Sequence, residues 1–325
     1  MRVVVALGGN AILRKGARGT AAEQRETIRN ACAQLVDLVE RGHELVLTHG
    51  NGPQVGRLLI QQRLAEREIP PMPLDVLDAQ TQGALGYLLQ QQLGNVMRAH
   101  GLMRDVVGVV TQVVVDPDDP AFAAPDKPVG PHYTEIELEH RLDVLGVAGD
   151  EITVDAETYR KVDGRSWRRV VASPQPIDII EIAAVRALLE AGVIPICAGG
   201  GGAPVIRGAD GDGPRDLAGI EAVVDKDRTA ALLTRQLGAD VLLVLTDVER
   251  VAVGYGTPSQ RWLDRLDPEE AGRLLATGEF PAGSMGPKVA AAVDVAARGG
   301  RAVITSLNRA ADAVDGNAGT QVTAT

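Results

Sequence analysis

Aromatic side chains are nearly missing from this chain: Phe, Trp and Tyr together make up 2% of its 325 residues. A core must therefore be built from Val, Leu, Ile and Ala, which the 45% apolar content permits. Cysteine is as scarce. Cys32 and Cys197 lie far apart, which excludes a disulfide framework and a zinc-type spacing. Cys197 closes an apolar run and is expected to be a buried, inert thiol. No segment approaches the ~18 apolar residues of a membrane helix. The opening Met1-Arg2-Val3-Val4-Val5-Ala6-Leu7 is too short for a signal-peptide core. The expectation is a cytoplasmic protein with no membrane partner. Positive charge is in deficit, with 33 basic against 43 acidic residues and a formal net charge of −10. That argues against nucleic acid as a partner, although a local basic pocket would survive it. No internal repeat and no low-complexity tract stands out.

What is present is alternation. Short β-branched runs are expected as strands at 3–7, 44–48, 106–115, 193–197, 241–246 and 302–305. Helical patterns lie between them, near 22–41, 53–66, 74–100, 177–191, 227–237 and 289–298. Another helix is expected to open at Asp267-Pro268-Glu269-Glu270, with an Asp cap, Pro in the first turn and acids at the positive end of the dipole. Several strand runs are continuously apolar, as buried parallel strands are. The fold class expected is α/β with a mainly parallel central sheet. One stretch breaks the rhythm. From Pro117 the chain turns Pro- and Asp-rich, and the excursion is read as running to about Asp155. It is either a surface insertion or a lid over a site. Further on, 159–170 reads as a hairpin turning at Asp163-Gly164.

Three strand ends carry glycines: Gly8-Gly9-Asn10, Gly50-Asn51-Gly52 and Gly199-Gly200-Gly201-Gly202. In parallel sheets such turns gather at the carboxyl edge, where ligands bind. There glycine lets backbone N–H groups approach phosphate oxygens. The stretch Thr48-His49-Gly50-Asn51-Gly52-Pro53-Gln54-Val55-Gly56 is not a dinucleotide fingerprint, because its third glycine comes one residue late. It is not a Walker loop either, since the chain contains no Gly-Lys pair.

Lysines are few, and three have unusual settings. Lys226 lies in Asp225-Lys226-Asp227 at a helix start. Lys288 follows Gly283-Ser284-Met285-Gly286-Pro287. Lys127 lies in the Pro-rich excursion. A lysine in a first helical turn opposes the dipole unless an anion binds there. Phosphoryl transfer needs such positive charge on the moving group. Asp227 could position two ammonium groups, and Asp247, at a strand end, could approach a metal or a nucleotide. Either could instead be a helix cap.

Together these stretches resemble the carbamate kinases of the amino-acid-kinase superfamily. The matching blocks also include Lys127-Pro128-Val129-Gly130-Pro131, Arg168-Arg169-Val170-Val171-Ala172-Ser173-Pro174 and Leu245-Thr246-Asp247-Val248. The resemblance runs from Arg2 to about Gly319. It implies a single domain over 1–325 folded as a three-layer α/β/α sandwich, with a small protruding lid subdomain at 117–155, and a homodimer. It implies ATP with Mg2+ and the reaction ATP + carbamate ⇌ ADP + carbamoyl phosphate, run toward ATP in a fermentative arginine catabolism. No lysine precedes the first glycine loop, where other members of the superfamily carry one, so the resemblance points to Lys127 on the lid as its substitute. Lys127, Lys226 and Lys288 then act on the transferring phosphoryl, and Asp227 positions them. Gly8, Gly9 and Asn10 line the phosphate path. Gly50, Asn51 and Gly52 donate to the acceptor, with Gly200 and Gly201 beside them. Asp247, Tyr255, Met285 and Gly286 meet the nucleotide. Two positions depart from the family pattern: Glu249-Arg250 stands in place of Asp-Gly, and His132 in place of an aromatic. The rival readings are a same-fold kinase for another small carboxylate and an inactive nucleotide or metabolite sensor. A hydrolase is disfavoured because no nucleophile–base pair is evident.

Overall fold

The computed structural model describes residues 1–325 apart from 15, 145, 148, 155, 163, 165, 209–215, 282 and 325. Its centre is an eight-stranded sheet. In spatial order the strands are Arg265–Leu266, Thr320–Val322, Arg301–Ser306, Val241–Thr246, Arg2–Leu7, Glu44–His49, Ile194–Ile196 and Val106–Gly108. Every pairing is parallel except that of Arg301–Ser306 with Thr320–Val322.

Strand alternation divides the core into two layers. Val3, Val5 and Leu7 pack with Ile28 and Leu35 of helix Ala21–Glu40 and with Leu85 and Leu89 of helix Leu74–Ala99. Val4 and Ala6 face the other way, onto Leu233 of helix Lys226–Leu237 and Val289 and Ala292 of helix Met285–Ala296. This is the expected α/β/α sandwich, built on aliphatic side chains. Asp267 caps helix Pro268–Ala276 as anticipated, accepting from the N–H of Glu269 and Glu270.

Two boundaries differ from expectation. The run 106–115 is not one strand. Gln82 bonds both the N–H and the carbonyl of Thr111. Beyond that clamp, Gln112–Val114 leaves the main sheet and pairs with Ala203–Arg207 in a second, four-stranded sheet. The pattern at 177–191 is also divided. Asp178–Ile179 pairs antiparallel with Val113 and Val114, and the helix begins only at Ile182. Tertiary pairing overrides local propensity in both places.

After the second sheet's first strand the chain builds a separate antiparallel sheet, ordered Lys127–Tyr133, Ser166–Val171, Glu157–Val162 and Glu151–Val154. Two of its strands lie beyond position 155, so the unit extends further than the excursion expected over 117–155. Its small core holds Tyr133, Tyr159 and Trp167, a large part of the chain's aromatic allotment. A unit with little interior gains most area per residue from such side chains. Asp163 of the expected turn and Asp155 lie outside the described residues. Gly164 sits at φ +64° between the paired strands, a conformation suited to a tight turn.

Candidate active site

The parallel strands Arg2–Leu7, Glu44–His49 and Val241–Thr246 all end on one edge. There the N–H of Gly8 donates to Leu245 O (3.1 Å) and that of Gly50 to Leu7 O (3.1 Å). These two groups extend the ladder, so Gly50 does not supply the ligand donor expected of it. Among the described residues, no protein acceptor engages the N–H groups of Gly9, Asn10, Asn51 and Gly52. Those remain directed at the edge of the sheet, each at the opening of a helical turn.

Helix Lys226–Leu237 brings the charges together. Its cap is Asp225, not Asp227: Asp225 Oδ1 accepts from the N–H of Asp227 (2.9 Å) and Arg228 (3.4 Å). The other oxygen, Oδ2, accepts from Lys127 Nζ at 2.8 Å. Asp227 accepts from Lys226 Nζ at 2.5 Å on one oxygen and from Lys288 Nζ at 3.0 Å on the other. The two aspartates therefore gather all three lysines. Three ammonium groups against two carboxylates leave one net positive charge in the cluster. Burial alone would raise the pKa of Asp227, but the ammonium groups of Lys226 and Lys288 outweigh it and hold the carboxyl at about 2. Asp225 is also held below the usual range: burial opposes this, and Lys127 overcomes it.

Two cavities flank the cluster. The first, about 420 Å³, is lined by Gly8, Gly9, Asn10, Asp247, Tyr255, Trp262, Met285 and Lys288 among others. Tyr255 and Trp262 meet edge-to-face at its rim, 6.3 Å between ring centroids. The second, about 430 Å³, lies between helix Gly52–Ala65 and the antiparallel sheet. Asn51, Gly52, Lys127 and Arg168 line it. Gly50 stands at the junction, since a Cβ there would lie 3.9 Å from both Gly9 N and Lys226 Cε.

Three expected residues take other places. Gly200 and Gly201 are buried and line neither cavity. A Cβ on Gly200 would fall 2.1 Å from Asn51 Nδ2, and one on Gly201 2.2 Å from Val224 O. They let the backbone pass close beneath Asn51 and against the Val224 carbonyl. Gly201→Ala is accordingly expected to destabilise the protein by more than about 2 kcal/mol, since φ is +105° and backbone blocks the new methyl group. An unchanged urea midpoint would show that the glycine run can yield. Gly286 is buried in its helix and donates its N–H to Pro281 O at 2.9 Å, so it shapes the helix entry, while Met285 lines the first cavity.

Other residues escaped the sequence reading. Asn51 gives both amide hydrogens away, to Asp78 and to Thr81 Oγ1 (2.8 Å), so its backbone N–H is the donor left without a protein acceptor among the described residues. Asp78 is buried, and burial pushes its pKa up to about 7 against the hydrogen bond from Asn51. The clue was a polar stripe, Asp78, Thr81 and Gln82, on the apolar face of a long helix. His49 is buried beneath Gly199, and burial holds its pKa down at about 4, so the ring is neutral. The thiol of Cys197 is buried as expected and pushed up to about 12.

Anion-directed N–H groups and a lysine cluster between two cavities at a sheet's carboxyl edge describe a phosphoryl-transfer site. The family comparison agrees: residues 1–306 match the model of the amino acid kinase family. The chain belongs to that family. Within it, full-length likeness is to carbamate kinases. That of Halobacterium salinarum is 47% identical over 323 residues, covering 98% of this chain and 97% of its own. That of Pyrococcus horikoshii is 44% identical and covers 99% of both chains. The structure of carbamate kinase from Giardia lamblia bound to AMP-PNP superimposes with a TM-score of 0.88 at 39% identity, over 100% of this chain and 98% of that one.

Proposed function

We propose that this protein is a carbamate kinase, catalysing ATP + carbamate ⇌ ADP + carbamoyl phosphate and working toward ATP. The observation that carries this is the lysine cluster, anchored on one helix N-terminus with a cavity on either side. The nucleotide occupies the first cavity, with its base toward Tyr255 and its phosphates toward Gly8, Gly9 and Asn10. The acceptor occupies the second. Carbamate is already an anion, so its oxygen attacks the γ-phosphorus without a general base. The barrier lies in bringing two anions together, and repulsion of unit charges at ~4 Å is several kcal/mol near a protein surface. Lys288 and Lys226 offset the charge on the transferring phosphoryl from the nucleotide side. Lys127 does so from the acceptor side, and the N–H groups of Asn51 and Gly52 orient the acceptor.

Mg2+ would enter with the nucleotide, as that ion is usually held by substrate phosphates and one or two carboxylates. Among the described residues no three His, Cys, Asp or Glu side chains converge as a metal cage. Asp247, exposed in the first cavity and outside any ion pair among the described residues, suits that lighter duty. The antiparallel sheet acts as a lid, since it carries Lys127 and walls the acceptor cavity. A homodimer accords with the exposed Tyr87 and Val110 (61% and 51%) beside the sheet's uncovered edge strand Val106–Gly108. No helix among the described residues is long and apolar enough to cross a membrane, which accords with a cytoplasmic enzyme.

The test is ATP formation from carbamoyl phosphate, ADP and Mg2+ by the purified protein, with Lys288→Ala as control. Rapid ATP production, lost by about 10²-fold or more in the control, is expected. ADP binding without any ATP formation would remove carbamate as the acceptor.

A further inference from the structure

Among the described residues the acceptor cavity has no carboxylate in its wall, although the chain as a whole is strongly acidic. It has three cationic side chains, Arg57, Lys127 and Arg168. Two are committed. Lys127 pairs with Asp225, and Arg57 donates to Gly19 O (2.7 Å) and Arg18 O (2.6 Å), tying down the loop before helix Ala21–Glu40. Arg168 is different. It makes one hydrogen bond, Nη2 to Gly130 O at 3.0 Å, and no ion pair among the described residues. Its Nε is buried and has no partner. Most of the five guanidinium donors are thus unspent.

This is a built arrangement. Strand alternation sends neighbouring Arg169 to the opposite face, where it meets Glu157 (3.2 Å) and Glu221 (3.0 Å). Opposite Arg168, the pairing of Lys127–Tyr133 with Ser166–Val171 shifts register between Val129 and Tyr133. Such a bulge re-aims side chains and carbonyls. Within it Gly130 adopts φ +70° and packs against Gly56, which would bring a Cβ there within 3.8 Å of the Gly130 backbone. The bulge is therefore held against the start of helix Gly52–Ala65, with Arg168 fixed to its carbonyl. Arg168 is half-buried, and a partly desolvated cation without a counter-ion gains from a ligand that completes it.

Resting on the reading of this site as that of a carbamate kinase, we infer that Arg168 is the ligand of the acceptor's carboxyl group. Its planar fork binds the carboxylate of carbamate, or the carbonyl oxygen of carbamoyl phosphate, while Lys127 meets the phosphoryl. Arg168 would select a small, planar, charged acceptor, because a neutral alcohol or amine would leave the guanidinium without its counter-charge.

Steady-state kinetics of Arg168→Met and Arg168→Lys in the direction of ATP synthesis test this. The KM for carbamoyl phosphate is expected to rise about 10- to 100-fold in Arg168→Met. The KM for ADP should stay within about two-fold, as a contact confined to the acceptor requires. Arg168→Lys should recover only part of the loss, since an ammonium is no fork. Added guanidinium should restore Arg168→Ala, whereas potassium chloride of equal ionic strength should not. An unchanged KM for carbamoyl phosphate, or equal rises in both KM values without guanidinium rescue, would overturn the assignment. A wild-type protein without turnover would instead sink the kinase reading. Carbamoyl phosphate binding, followed by thermal shift, then decides on Arg168 alone: a shift seen in the wild type and lost in Arg168→Met supports it, and an equal shift refutes it.

Discussion

Alanine at Lys127 is expected to lower kcat for ATP formation by about 10²- to 10³-fold while leaving the protein folded. Two different energies are at stake. For stability, the Lys127–Asp225 pair counts for little, because the lysine side chain is 36% exposed and solvent screens the interaction. Such pairs contribute about 1 kcal/mol or less. Asp225 also keeps its place without Lys127, since its other oxygen still caps the helix. The melting temperature should therefore move by only about 2–3 °C. In the transfer step the balance reverses. The acceptor cavity would lose the ammonium group that faces the incoming phosphoryl oxygen, and the other two cations in its wall are tied elsewhere, Arg57 to the Gly19 and Arg18 carbonyls and Arg168 to the Gly130 carbonyl. Melting curves and single-turnover rates on one preparation separate the two effects. Near-normal turnover would remove Lys127 from the mechanism.

Asp227→Asn is expected to do the reverse and damage the fold as well as the activity. The Asp227 side chain is 4% exposed, and its lysine partners are 11% and 16% exposed. Taking away one member of a buried ionic cluster leaves the others uncompensated, at about 3–5 kcal/mol. The pH dependence follows from the direction of the shift. The folded pKa of Asp227 is depressed to about 2 from 3.8. Its contribution, on the order of 2 kcal/mol, is thus fully present above the unfolded value and lost as pH falls through the folded one. Urea titrations should show a large deficit for Asp227→Asn at pH 7 that does not change between pH 5 and 7. The deficit should shrink only in strong acid, as the wild type approaches its folded pKa. Equal midpoints for the two proteins at pH 7 would mean that Lys226 and Lys288 do not depend on Asp227.

The residues of the candidate site were legible in the sequence where the pattern was local. A strand followed by Gly-Gly-Asn or Gly-Asn-Gly, and a lysine at a helix start, can be read within ten residues. The lysines and Asp227 do converge, and Gly8, Gly9, Asn10, Asp247, Tyr255 and Met285 share one cavity. What escaped was set by distant partners. Asp225 meets a lysine 98 positions away, and nothing nearby in the chain marks its second oxygen. The Gly200 and Gly201 pair looked like a phosphate loop because glycine signals close approach without naming what approaches. Here it is Asn51 and the Val224 carbonyl. The strand at 178–179 was hidden for the same reason, its pairing partner lying at 113–114. Arg168 was visible only as part of a familiar block, since two adjacent arginines on a strand look alike until the sheet assigns their faces.

Asp225 serves two masters with one carboxyl group. One oxygen is bound to the helix for the life of the fold, and the other is lent to Lys127. Lys127 Nζ has three N–H donors and spends one of them on that second oxygen, so a phosphate oxygen could join the carboxylate at the same ammonium group. The same carboxylate brings the three-lysine cluster down to a single net positive charge while holding Lys127 in register with the helix that carries Lys226.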